Sequence, residues 1–176
     1  MPTTSRACLA LGLGSLALSA HTLACAPRAS AVQEPDCIVS MVVDGDTFRC
    51  QDGRKVRLIG IDSPEGLQGP FGARSRAALL GLLQSGVPVR LERDVAATDQ
   101  YGRVLAYAWL GSSLVNEAMV RGGWAVLYTV PPNVKYADRL QRAQNEARAG
   151  GAGLWAQNGF ACPPKEFRRR TCVSSP

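Results

Sequence analysis

From Ile38 to Ile61 short apolar runs alternate with tight polar breaks. Ile38 to Val43 and Val56 to Ile61 carry the period-two pattern and β-branched residues of half-buried strands. Asp44-Gly45 and Asp52-Gly53 interrupt the pattern, and Asp-Gly is a dipeptide that fits a hairpin turn. The segment is therefore predicted to fold as a three-strand meander. In a meander the start of the second strand and the end of the third share an edge. That brings Asp46 towards Asp62, and two carboxylates at one place repel unless a cation lies between them. Arg57 fits less simply. It stands five residues before Asp62, and an odd separation on a strand sends side chains to opposite faces. A bulge or a curved wall must intervene if both serve one site, and Gly60 permits it.

Beyond the meander the period changes. Pro70 to Gln84 has Ala73, Ala77, Leu80 and Leu83 at helical spacing, with Gly86 as its stop. Val87 to Arg93 alternates as a fourth strand, and Thr98 to Arg103 is a polar turn. Val104 to Leu110 is mostly apolar, the mark of a buried fifth strand. Ser113 is placed to cap a short helix carrying Leu114, Val115, Ala118 and Met119, which Gly122-Gly123 ends. Trp124 to Val130 reads as extended, broken by Pro131-Pro132. Asn133 is placed to cap a helix with Tyr136, Leu140, Ala143 and Ala147 on one face, ended by Gly150-Gly151. Leu154-Trp155 is expected to pack back on the core, and Tyr107, Trp109 and Trp124 are expected within it. Five strands with helices inserted late predict an α+β fold, a small five-stranded barrel with about three packing helices. The OB architecture is one solution; other small α+β folds fit the same pattern.

The ends of the chain change the chemistry available. Arg6, the apolar stretch Ala7 to Ala20 and the Ala29-Ser30-Ala31 cleavage pattern make residues 1–31 a secretory signal peptide. Cleavage after Ala26 is an alternative, and Cys25 in Thr22-Leu23-Ala24-Cys25 faintly resembles a lipid-acylation box. The mature domain then covers 32–160, and a basic tail covers 161–176. The only histidine, His21, leaves with the leader. That excludes a His-based triad, a His–metal nuclease centre and a Cys/His zinc site in the mature chain. Eighteen basic against 14 acidic residues remain once Arg6 and Arg28 are gone, a surplus that suits a polyanion or plain solubility. Four cysteines remain, Cys37, Cys50, Cys162 and Cys172, an even number that suggests two disulfides after export. Cys162 and Cys172 flank a short basic loop and are the first pair to expect. Cys37–Cys50 would follow by default, but the turn register sets Cys50 nearer Met41, which leaves this link open. The tail from Pro163, with Arg168-Arg169-Arg170, is expected to be loose apart from its cysteines.

Four ordered motifs now stand together: Val43-Asp44-Gly45-Asp46-Thr47; Val56-Arg57-Leu58 with Ile61-Asp62-Ser63-Pro64-Glu65; Asp99-Gln100-Tyr101-Gly102-Arg103 with Leu105-Ala106-Tyr107; and Val115-Asn116-Glu117-Ala118. Their order and spacing resemble the staphylococcal nuclease (thermonuclease) family over about Ile38 to Trp155. The resemblance implies an OB-fold, Ca²⁺-dependent phosphodiesterase acting on DNA and RNA. By position it implies Asp46, Asp62 and the Ser63 carbonyl as calcium ligands, and Glu65 as the carboxylate that orients or deprotonates water. It implies Arg57 and Arg103 on the scissile phosphate, and Tyr101 and Tyr128 against the nucleotide. The expected partners are DNA and RNA, single strands favoured, with a monomeric protein and no protein partner. The family most often has Thr where Ser63 stands, a harmless change for a carbonyl ligand. Gln100, Val130 and the lysine-free loop Gly66 to Phe71 replace rim residues of the best-known member, which weakens phosphate and base contacts there.

The residue chemistry agrees with that implication. Calcium takes hard oxygen donors, and forked guanidiniums suit the equatorial oxygens of a phosphodiester under attack. Taken singly, each residue also has a structural reading: Asp44-Gly45 as a plain turn, Arg57 as a strand-edge arginine, Tyr128 as core or base-stacking platform. Their joint occurrence favours the site. Two rivals remain, a non-catalytic OB module that binds nucleic acid and an envelope domain anchored at Cys25.

Overall fold

A computed structural model of the chain describes residues 36–172, all within the unit Glu34–Pro176. The signal-peptide reading of 1–31 and the Cys25 anchor lie outside the described residues. The elements run β1 (Cys37–Val42), β2 (Thr47–Cys50), β3 (Lys55–Leu58), β4 (Gly60–Asp62), α1 (Pro70–Leu82), β5 (Pro88–Glu92), β6 (Val104–Leu110) and β7 (Ser113–Leu114). They continue with α2 (Val115–Arg121), β8 (Val126–Tyr128), α3 (Ala137–Ala149), a 3₁₀ turn (Gly153–Gln157) and α4 (Pro164–Arg169).

β1, β2 and β3 form the expected antiparallel meander. β5 joins β1 and β6 joins β5, both antiparallel. A parallel pairing of β3 with β6, Val56 opposite Val104, closes the ring. The result is a closed five-stranded barrel of the OB type, with no free sheet edge among those five strands. Val39, Val42, Phe48, Val56, Leu58 and Tyr107 fill it. α2 and α3 cover it through Met119, Leu140 and Ala143, on the faces that the periodicity predicts.

The run Val56 to Ile61 is two strands rather than one. Gly60 takes a positive φ of 79°, which turns the chain off the barrel, so β4 pairs instead with β8, Gly60 opposite Tyr128 and Asp62 opposite Val126. This break is the departure from alternation that Arg57 and Asp62 require. A Cβ on Gly60 would also lie 2.6 Å from Leu140 Cδ1, so a larger residue there would force the leucine side chain of α3 to shift. Asn116, fully buried on α2, clamps the break. Its amide donates to the Ile59 carbonyl at 2.8 Å and its oxygen accepts from Ala108 N–H at 2.9 Å.

Several expectations need correction. Ser113 does not cap α2: it belongs to β7, and Leu114 precedes the helix with no side-chain cap. Asn133 does not cap α3, which begins at Ala137. Its side chain instead bridges both backbone groups of Ala96, at 2.8 and 3.0 Å. Of the expected α1 face, Ala73, Ala77 and Leu80 are exposed, and the buried side is Gly72, Ser75, Leu79 and Leu83. Close approach selects that side: a Cβ on Gly72 would meet the Glu65 carbonyl oxygen at 2.2 Å. Leu154 and Tyr107 are buried, whereas Trp109, Trp124 and Trp155 are half-buried. Both disulfides form, Cys37–Cys50 and Cys162–Cys172. A bulge at Ser40 shifts the β1–β2 register so that Cys50 faces Val39 instead of a residue nearer the turn, diagonally beside Cys37. The tail is not loose through Arg169: it forms α4, a fourth helix.

Replacing Asn116 with Ala orphans a buried N–H and a buried carbonyl, so the folded state is expected to lose about 3 kcal/mol. The urea midpoint measures this, and a shift equivalent to less than about 1 kcal/mol would show that the clamp contributes little.

Candidate active site

The four-residue loop from Val43 to Asp46 joins β1 to β2. The Asp44 carboxylate accepts from Asp46 N–H at 3.0 Å, a side-chain turn that sets the direction of Asp46. Arg76 of α1 holds the loop from outside by donating to the Val42 and Val43 carbonyls at 3.2 and 3.1 Å. Gly45 lies flat against α1 and the Asp62–Glu65 segment. A Cβ there would sit 1.8 Å from Ser75 Oγ and 2.7 Å from Ser63 Cβ. Gly45 is thus required by packing.

Asp46 and Asp62 are both buried, Asp62 to 1% exposure. The Asp46 carboxylate accepts from Thr47 Oγ1 at 2.9 Å and from Ser63 N–H at 2.9 Å. Arg57 lies between the two acids. Its Nε is 3.1 Å from Asp46 Oδ1, its Nη2 is 3.2 Å from Asp62 Oδ1, and its Nη1 donates to the Leu58 carbonyl. One guanidinium therefore spans both carboxylates, which places their tips within reach of a common ion. The acids are still under strain. Burial pushes Asp62 upward against the pull of Arg168 and Arg57, and the Asp46 charge adds to the rise. Asp44 is pushed up to about 6, by burial first and then by Asp46.

Glu65 follows on the adjoining loop, partly exposed. Its backbone N–H donates to Gln68 Oε1 at 2.7 Å, and Gln68 Nε2 in turn donates to the Cys162 carbonyl at 2.9 Å. Arg103 comes from the Thr98–Arg103 turn. Asp99 organises that turn by accepting from Tyr101 N–H, Arg103 N–H and Arg103 Nε at 2.9, 3.0 and 2.7 Å. Burial pushes the Asp99 carboxyl up, but the bonds from Arg103 prevail and hold it below the usual range. The Arg103 guanidinium lies 5.5 Å from the centre of the Tyr101 ring, which is 74% exposed.

All eight residues singled out from sequence line one cleft of about 920 Å³: Asp46, Arg57, Asp62, Ser63, Glu65, Tyr101, Arg103 and Tyr128. Asp46, Arg57, Asp62 and Ser63 touch one another. Arg103 and Tyr101 stand apart on their own turn, and Tyr128 enters from β8. The sequence reading missed three residues. Asp44, read there as a plain turn, lines the cleft. Arg168 enters it from α4 and pairs with Asp62 and Glu65. Lys165, also on α4, places its ammonium 5.5 Å from the centre of the Tyr128 ring. The sequence signal for the last two was a basic run bracketed by a disulfide, beside an acid-rich site.

Among the described residues no three His, Cys, Asp or Glu side chains gather closely enough to cage a metal by themselves. Two buried carboxylates under mutual repulsion are nevertheless the donor set that a hard cation favours, with backbone oxygen and water completing the shell at about 2.3–2.6 Å. The residues present fit calcium on that ground.

The family model described as staphylococcal nuclease homologue matches residues 55–157. The chain is 36% identical over 126 residues to the thermonuclease of Staphylococcus hyicus, an alignment that covers 67% of this chain and 74% of that one. It is 34% identical over 142 residues to an uncharacterized endonuclease of Haemophilus influenzae, covering 78% of this chain and 75% of the other. Endonuclease YncB of Bacillus subtilis is 32% identical over 128 residues, covering 67% and 60%.

Gly45→Ala is expected to destabilise the fold by roughly 1–3 kcal/mol through overpacking against Ser75 and Ser63. Thermal unfolding measures it, and an unchanged melting temperature would mean that the loop yields freely.

Proposed function

The chain belongs to the staphylococcal nuclease family and is a nuclease; on that premise we propose a secreted, calcium-dependent endonuclease acting on DNA and RNA, single strands favoured. In this reading it cuts the P–O5′ bond and leaves 3′-phosphate ends. The observation that carries it is the Arg57 guanidinium paired at once with Asp46 and Asp62, in a cleft that also holds Glu65 and Arg103. Secretion is supported by the leader-like residues 1–31 and by the two disulfides, which oxidising compartments preserve.

Asp46, Asp62 and the Ser63 carbonyl would hold the ion. Calcium, when bound there, polarises a phosphoryl oxygen and lowers the pKa of nearby water. Glu65 orients the attacking water by accepting a hydrogen bond from it. With cations beside it, Glu65 positions the water more than it abstracts a proton. Arg57 and Arg103 engage the equatorial oxygens, whose charge grows in the transition state, so their contribution is larger there than in the ground state. Asp99 engages Arg103 through Nε, the inner nitrogen, and the phosphate binds the fork beyond it. Tyr101 and Tyr128 offer flat faces for bases. Lys165 beside Tyr128 adds positive charge to a rim whose Gln100 and Val130 supply none.

The test is digestion of single-stranded DNA with Ca²⁺ and with chelator, with the product ends identified. Cleavage should require the metal and yield 3′-phosphates. Equal activity under both conditions, or none under either, sinks the proposal. Binding without cleavage selects the non-catalytic OB module instead. Glu65→Gln and Arg103→Ala should each lower kcat by about 10²–10³-fold with the fold intact. Asp99→Ala removes the support of Arg103 and loosens the turn that also carries Tyr101, so a loss of roughly ten- to hundredfold in kcat is expected. An Asp99→Ala enzyme as fast as the parent would show that Arg103 orients itself.

A further inference from the structure

The family match ends at residue 157, and the segment beyond it reaches back into the cleft. Arg168 sits across Asp62 in fork-to-fork geometry, Nη2 to Oδ2 at 2.8 Å and Nη1 to Oδ1 at 3.1 Å, and Nη1 also reaches Glu65 Oε1 at 2.6 Å. Both oxygens of one expected calcium ligand and one oxygen of the water-positioning carboxylate are thus bound to a side chain that the resemblance does not include. We propose that Arg168 is a tethered occupant of the cation seat, which competes with the metal and sets the affinity with which the cleft takes it up. This rests on the calcium reading of Asp46 and Asp62.

Three features support it. The first is charge. Asp44, Asp46, Asp62 and Glu65 line the cleft, and Arg57 answers only Asp46 and one oxygen of Asp62. Arg168 supplies much of the remaining compensation. The second is placement. The Asp62 side chain is almost wholly enclosed and that of Arg168 is 41% exposed, so the guanidinium lies over Asp62 from the solvent side. Arg57 touches Asp62 from within at Oδ1 alone, whereas Arg168 takes both oxygens from the side open to solvent, so a calcium ion entering on that side must displace Arg168. The third is the tether. The Cys162–Cys172 disulfide closes the segment that carries α4, and Gln68 joins the Cys162 carbonyl to the backbone of Glu65. The arm is held at the site and its effective concentration there is high.

The deciding experiment is calorimetric titration of CaCl₂ into the purified protein without nucleic acid. The parent is compared with Arg168→Ala, Arg168→Lys and the Cys162→Ser/Cys172→Ser pair. Arg168→Ala should bind calcium on the order of tenfold more tightly, since charged hydrogen bonds to Asp62 and Glu65 no longer have to be broken. Arg168→Lys should fall between, because an ammonium cannot match both oxygens of Asp62. The serine pair should move in the same direction as Arg168→Ala, because the arm is no longer held in place. Melting temperatures give a second reading: in chelator Arg168→Ala should melt below the parent, and excess calcium should narrow or reverse the gap. Equal or weaker calcium affinity in Arg168→Ala overturns the proposal and leaves the calcium site standing. No calcium uptake by any variant overturns the calcium reading and this inference together.

Discussion

Two carboxylates buried side by side cost several kcal/mol unless something positive shares their space. In this chain that something is the guanidinium of Arg57, bonded to Asp46 on one side and Asp62 on the other. The rest of the barrel end is arranged around the pair. The Val43–Asp46 loop is fastened to α1 by Arg76 and pressed flat at Gly45. The Asp62–Glu65 segment is fixed through Ser63 N–H on Asp46. Neither acid is open to solvent, so each depends on the partners that the fold holds against it.

Bringing Arg57 and Asp62 to one side required a breach of strand alternation. Gly60 provides it through a backbone conformation that other residues adopt only with strain. The freed peptide groups around the breach are satisfied by Asn116 and by Ile59 N–H donating to the Ala106 carbonyl. The site thus depends on a buried amide that never touches it. A polar side chain in a core usually signals such an obligation.

What was legible in the sequence was local. Alternation gave the meander and β5, and a continuous apolar run gave β6, because both patterns are properties of neighbouring residues. The faces of α2 and α3 followed from three-four spacing; the ordered motifs supplied seven of the eight residues that line the cleft, and the resemblance by position supplied Tyr128. The misreadings share a cause in tertiary partners. Ser113 and Asn133 looked like caps, but Ser113 is taken into a strand pair and Asn133 into a bridge to Ala96. On α1 the apolar count favoured the wrong face, because close approach of backbones selected Gly72 and Ser75 over alanines and leucines. Arg168 was invisible for the same reason. Its partners lie more than 100 positions away, and the basic run between two cysteines marked the segment without saying which acid any of its arginines would meet.

The barrel is sealed by its one parallel seam, β3 against β6. Strands running the same way cannot meet through a short hairpin, so the whole stretch between them must be laid down first. Asp46 and Asp62 stand on one side of that seam, and Arg103 is carried immediately before β6 on the other. A half-folded chain therefore has the acids and lacks the opposing arginine. Closure of the barrel is therefore also the step that sets Arg103 across the cleft from the two acids.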